Sequence, residues 1–146
     1  MKTTPTDPRV ARIVQVFETL KPADVAALDR IYQADASFKD PFNEVQGLAK
    51  IQRIFEHMFA TLEQPRFRIL DAVVDGDQVF LRWDFLFRMK RFQRDAQCIH
   101  GGSYLRLAAD GRITLHRDYW DAAEELYEKL PLLGGLMRWL KRRAAR

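Results

Sequence analysis

The chain has 146 residues, 47% of them hydrophobic and 30% charged, with a formal net charge of +4; this is the make-up of one soluble globular domain with room for a sizeable core. The positive balance sits at one end: from Pro131 onward there are five cations (Arg138, Lys141, Arg142, Arg143, Arg146) and no acid, leaving 19 Lys and Arg against 20 Asp and Glu in the rest. A body so near neutrality speaks against nucleic acid as a partner, and no run reaches the roughly 20 apolar residues of a bilayer span.

Asp7 is placed to cap a helix whose first residue is Pro8, with Val10, Ile13, Val14 and Phe17 on one stripe. Pro22 opens a second, shorter helix with Val25, Leu28, Ile31 and Tyr32 on its inner face. Ala36–Asp40 reads as a short strand that Pro41 stops. Gly47 precedes a third helix, with Ile51, Ile54, Phe55, Met58 and Leu62 inward and Pro65 at its end. The period then changes, and residues 67–74, 78–89, 96–107 and 112–120 read as strands. Asp75-Gly76 and Asp110-Gly111 are tight-turn signals, so these strands pair antiparallel. Asp121 with Glu124 resembles a capping box, and beyond Pro131 a last amphipathic helix runs through Leu140.

Helices first and an antiparallel meander after give an α+β fold with helices on one face of the sheet. Residues 1–130 form one domain and 131–146 a basic amphipathic tail. The residues Met1-Lys2-Thr3-Thr4-Pro5 carry no signal pattern, and the single Cys98 excludes an internal disulfide; both fit a reducing cytoplasm. The tail is expected to cap the pocket mouth or a dimer, and a basic amphipathic helix can also lie weakly on an anionic membrane. Arg88, Lys90, Arg91 and Arg94 read as a solvated turn, and Gly101-Gly102 and Gly134-Gly135 as a strand bend and a helix irregularity.

Two strands carry the candidate chemistry. In the last, Thr114, His116, Asp118 and Trp120 share a face, setting a carboxylate between an imidazole and an indole. In 78–89, Val79, Leu81, Trp83, Phe85 and Phe87 make an apolar face assigned to helix packing or a dimer interface, while Phe80, Arg82, Asp84 and Leu86 make the other. Arg82 and Asp84 lie between apolar neighbours, where burial is costly without partners. They are expected to pair and to face a substrate or water. His57 is expected at the surface or the cavity rim. No His, Cys, Asp or Glu spacing suggests a metal site.

At these motifs the chain resembles the nuclear transport factor two superfamily. The resemblance implies a conical, curved antiparallel sheet with helices on its concave face, enclosing one deep pocket. Arg82-Trp83-Asp84 and His116-Arg117-Asp118-Tyr119-Trp120-Asp121 resemble the active-site stretches of limonene epoxide hydrolase. That likeness implies Asp118 as the base for water, Asp84 as the acid and Arg82 between them. Phe38 and Asp40 stand where that family holds the water with Tyr and Asn. The stretch from Tyr32 to Asp40-Pro41 resembles ketosteroid isomerase, which implies Asp40 as a proton shuttle and places Phe17 and Ser103 at the oxyanion-hole positions. The implied protein is a small-molecule acid/base enzyme, hydrolase-like slightly ahead of isomerase-like, without cofactor or metal, acting on a compact apolar carbonyl or epoxide. The alternative is a non-catalytic binder of a hydrophobic ligand. Asp40, Arg82, Asp84 and Asp118 are the expected catalytic residues. Phe17, Phe38, Phe80, Ser103, His116 and Trp120 are the expected ligand contacts, and a homodimer through the outer sheet face is the expected assembly.

Overall fold

A computed structural model describes residues 5–90, 95–125 and 131–145. Asp7 caps α1 (Pro8–Glu18): its carboxylate accepts from the Arg9 backbone N–H at 2.9 Å, and Pro8 fills the first turn. Val10, Ile13, Val14 and Phe17 are buried along one stripe, as the spacing predicts.

The next segment departs from expectation. Pro22–Arg30 is a 3-10 helix interrupted at Ala27 instead of a short α-helix. Tyr32, expected on that helix, starts strand β1 (Tyr32–Lys39), which therefore begins before Ala36. The cause is tertiary: the Ile31 carbonyl accepts from the Ile113 N–H at 2.7 Å and Tyr32 pairs with Ile113, so a strand from the far end of the chain draws this segment out.

A short strand β2 (Glu44–Gln46), not foreseen, returns antiparallel to β1. It is followed by α2 (Leu48–Thr61). Strand β3 (Leu62–Asp75) leaves α2 directly, five residues ahead of the expected Phe67. Pro65 does not end the helix but falls inside a register break between Glu63 and Arg66, beside Gln64 with φ 50°. Strands β4 (Gln78–Met89) and β5 (Ala96–Leu107) have the expected bounds, and β6 (Ile113–Tyr119) is one residue shorter at each end. Asp121 caps α3 (Ala122–Glu125), its carboxylate accepting from the N–H groups of Ala123 and Glu124 at 3.0 and 3.2 Å.

Among the described residues six strands run in the order β2-β1-β6-β5-β4-β3 in one curved, unclosed sheet. Every neighbouring pair is antiparallel except β1 and β6, which run parallel. This is the expected α+β arrangement with one parallel seam added. Ile13, Leu28, Ile31, Ile51, Leu81, Leu105 and Ile113 are fully enclosed between the helices and one sheet face. The opposite face carries Val73 and Phe80, both exposed.

The last helix, α4, spans Pro131–Ala144 and contains Gly134 and Gly135 without a break. Leu136, Trp139 and Leu140 are exposed on it, and Lys141 reaches Glu124 at 3.7 Å. No helix among the described residues is long and apolar enough to cross a membrane. The side chains of Leu132, Leu133 and Met137, and residues Arg91 and Arg94, fall outside the described residues.

Candidate functional site

Between α1, α2 and the inner sheet face lies a cavity of about 350 Å³. Its walls are aromatic. Phe17 comes from α1, Phe55 from α2, Phe38 from β1 and Phe67 from β3, while Trp83, Phe85 and Phe87 come from β4. The apolar face of β4, expected to pack helices or a partner, is thus divided: Val79 and Leu81 are buried in the core, while Trp83, Phe85 and Phe87 form a wall of the cavity. Phe67 and Phe85 stack at 4.7 Å between ring centroids, and Phe85 and Phe87 at 5.2 Å. Phe42 and Trp120 meet edge to face at 5.5 Å and both line the cavity. His57 and Asp40 line it as well. Among the described residues no Lys or Arg does.

One polar chain runs along the sheet wall of this apolar cavity. The Tyr32 hydroxyl lies 2.6 Å from His116 Nδ1, and His116 Nε2 lies 2.6 Å from Asp118 Oδ1. The Ser103 hydroxyl donates to the same Asp118 oxygen at 2.5 Å, and the Trp83 indole N–H donates to Ser103 Oγ at 2.8 Å. Burial, with the Asp118 charge adding to it, holds the Tyr32 phenol well above its usual pKa, so it keeps its proton. A protonated phenol donates to Nδ1. The imidazole proton then sits on Nε2 and is donated to Asp118. The His116 ring is fixed by its neighbours: it lies parallel to Tyr32 within 7°, Phe38 is 4.7 Å away, and Phe17 meets it edge-on at 5.8 Å.

Both donors to Asp118 converge on Oδ1. Among the described residues no group engages Oδ2, so that oxygen remains for whatever enters the cavity. β5 and β6 bring this about: Ser103 pairs with Asp118 and Leu105 with His116, so alternate residues of β6 point inward. Trp83 reaches Ser103 because Gly101 lets its ring lie across β5. A Cβ on Gly101 would stand 2.6 Å from Trp83 Cη2.

Asp40 lines the cavity but is bound up in its own turn. Its Oδ1 accepts from the N–H groups of Phe42 and Asn43 at 2.8 and 2.6 Å, and both its oxygens accept from the Asn43 amide at 3.1 Å. These bonds make an Asx-type turn after β1, with Pro41 inside it.

Three expected site residues lie elsewhere. Arg82, Asp84 and Phe80 are on the outer face of β4, turned away from the cavity. Phe80 rests over Gly102 and is 41% exposed. Arg82 donates to Asp71 at 2.6 Å and is more than half exposed, so it joins neither Asp84 nor Asp118. Asp84 is buried beneath Arg68 at 2.8 Å and His100 at 2.6 Å. The expected constellation of Asp84, Arg82 and Asp118 is therefore not assembled. Phe17, Phe38, Ser103, His116 and Trp120 do line the cavity with Asp118 and Asp40. Phe67, Trp83, Phe85 and Phe87 were not expected there, although an unbroken run of large apolar residues at every second position of β4 was a signal; Tyr32, buried behind His116, was not expected in the polar chain. Among the described residues no side chain of α4 lines the cavity.

The Arg68 guanidinium first, and His100 second, hold the Asp84 carboxyl below its usual pKa against the opposing effect of burial. A lowered folded pKa adds stability above the unfolded value of about 3.9, and this is lost as pH falls through the lower folded value. Asp84→Asn is expected to cost about 1–3 kcal/mol at neutral pH, because the Asn amide cannot satisfy Arg68 as the carboxylate does. It is also expected to flatten the acid limb of a melting-temperature curve recorded from pH 7 to pH 2. A mutant curve parallel to that of the wild type would refute this.

Residues 13–116 match the model of the SnoaL-like domain family. No curated protein matches the chain. Among solved structures, one similar protein is a hypothetical protein with a ketosteroid isomerase-like fold from Catenulispora acidiphila, in complex with trimethylamine. It is 21% identical, with 85% of this chain and 92% of that one covered and a TM-score of 0.71. A putative SnoaL-like polyketide cyclase from Shewanella putrefaciens is 19% identical, with 84% and 98% covered and a TM-score of 0.69. An epoxide hydrolase of the LEH-like kind from M. tuberculosis is 18% identical, with 80% and 83% covered and a TM-score of 0.63. At these identities the likeness is one of fold.

Proposed function

Because the chain belongs to the SnoaL-like domain family, we propose that its cavity takes a compact, mostly apolar carbonyl compound and that Asp118 moves a proton on it. The observation that carries this reading is Asp118 itself. It is a carboxylate in an aromatic cavity, held by His116 and Ser103 through one oxygen and open through the other. A carboxylate positioned against a substrate C–H can act as a general base, and out of bulk water its charge is felt more strongly.

The rest of the wall narrows the substrate. Phe17 has no donor for an enolate oxygen, and Ser103 already gives its proton to Asp118. With no Lys or Arg on the lining among the described residues, and His57 as the remaining imidazole there, the substrate must carry much of the developing charge itself. This favours an acidic C–H between two carbonyls over a simple steroid-like ketone, and hence isomerase-like or cyclase-like chemistry. Epoxide hydrolysis is the weaker reading, because Arg82 and Asp84 lie on the outer face.

The test is proton exchange. Apolar 1,3-diketones, β,γ-unsaturated ketones and epoxides of a size to fill about 350 Å³ are incubated with the protein in deuterated buffer and followed by NMR. Accelerated exchange at the 1,3-dicarbonyl carbon is expected. Saturable binding of the same compounds with no exchange would make the protein a binder, and diol formation from the epoxides would restore the hydrolase.

A further inference from the structure

On the sheet face opposite the cavity, β4 and β5 bring an oxygen, a sulfur and a nitrogen together. The register sets Asp84 against His100 and Leu86 against Cys98, and Cys98 and His100, two residues apart, share the outer face. His100 Nδ1 lies 2.6 Å from Asp84 Oδ1 and 3.9 Å from Cys98 Sγ. The three ligand atoms all fall within 4.8 Å of one another.

A nucleophilic relay would need the thiol and the carboxylate on opposite nitrogens of the imidazole. Here both contacts meet at Nδ1, so the three groups converge on one point instead. We propose that Asp84, Cys98 and His100 form a zinc site with its fourth position open to water.

The donor set is mixed S, N and O, which suits Zn²⁺ better than the all-oxygen ions Mg²⁺ and Ca²⁺. Zinc–sulfur and zinc–nitrogen bonds of about 2.3 and 2.0 Å place tetrahedral ligands roughly 3.5 Å apart. The sulfur–nitrogen pair is already near that separation. The Asp84–His100 pair must open by about 1 Å to reach it, and His100, with 68% of its side chain exposed, has room to turn. Arg68 donates to the other carboxylate oxygen, Oδ2, at 2.8 Å. It can therefore keep orienting the buried carboxylate while Oδ1 binds the metal, as outer partners of metal ligands do. Proton transfer at Asp118 does not depend on this site, which faces the other way.

Cobalt tests it, since Co²⁺ takes zinc sites and reports thiolate ligation by near-ultraviolet charge transfer. Titration of the full chain is expected to give a 1:1 complex with that band, which Zn²⁺ then abolishes. Cys98→Ser should lose the band, and both it and His100→Gln should bind Zn²⁺ at least about tenfold more weakly, with circular dichroism confirming that each is folded. No thiolate band in the wild-type protein, or unchanged Zn²⁺ affinity in the folded variants, would overturn the proposal.

Discussion

Asp118→Asn is expected to slow proton transfer by about 10²–10⁴-fold while changing ligand affinity only a few-fold. The asparagine carbonyl oxygen can still accept from Ser103 and His116, the two donors that position the native side chain. The wall keeps its shape and only the basicity goes. Exchange rate and binding are measured on the same compound, the first by deuterium uptake and the second by titration. Equal losses in rate and affinity would make Asp118 an architectural residue and end its role as base.

Trp83→Ala is expected to lower stability by about 3–5 kcal/mol, or roughly 10–15 °C in melting temperature for a chain of this size. The ring is 5% exposed, lies across Gly101, meets Phe67 edge-on at 6.0 Å and holds Ser103 through its N–H. Trp83→Phe separates the two roles: it retains much of the apolar volume but loses the donor, so it should cost less stability and still disturb Ser103. A drop below 1 kcal/mol for the alanine variant, read by chemical denaturation, would show that the surroundings close over the gap and that Trp83 does not support the cavity.

The sequence made the β6 wall legible because its signal is local. His116 and Asp118 alternate along β6, with Trp120 one residue past its end, and alternation alone puts them on one face. The bounds of β4 and β5 were equally readable from period and turn residues. The face of β4 was harder to read. Its charged positions resembled a site because a buried Arg and Asp need partners, yet the partners of Asp84 are Arg68 and His100, one on each neighbouring strand. Only register shows that, and register between strands is not written in either strand. The same blindness hid the cluster of Asp84, Cys98 and His100, whose members have no metal-ligand spacing along the chain. Tyr32 was misplaced for a related reason: its extended backbone depends on pairing with Ile113.

That parallel seam also sets a timetable. The hydrogen bond from Tyr32 to His116 links residues 84 positions apart, and β1 gains no partner on that edge until β6 exists. Contacts this distant in sequence incur most of the loop-closure entropy before they return any stabilisation, so they form late and slowly. During synthesis β1 must wait, one edge bare, for almost the entire domain to follow it. The polar chain from Tyr32 to Asp118 is completed by that same closure. In a refolding experiment, the proton exchange proposed for Asp118 should therefore return with the last structural phase.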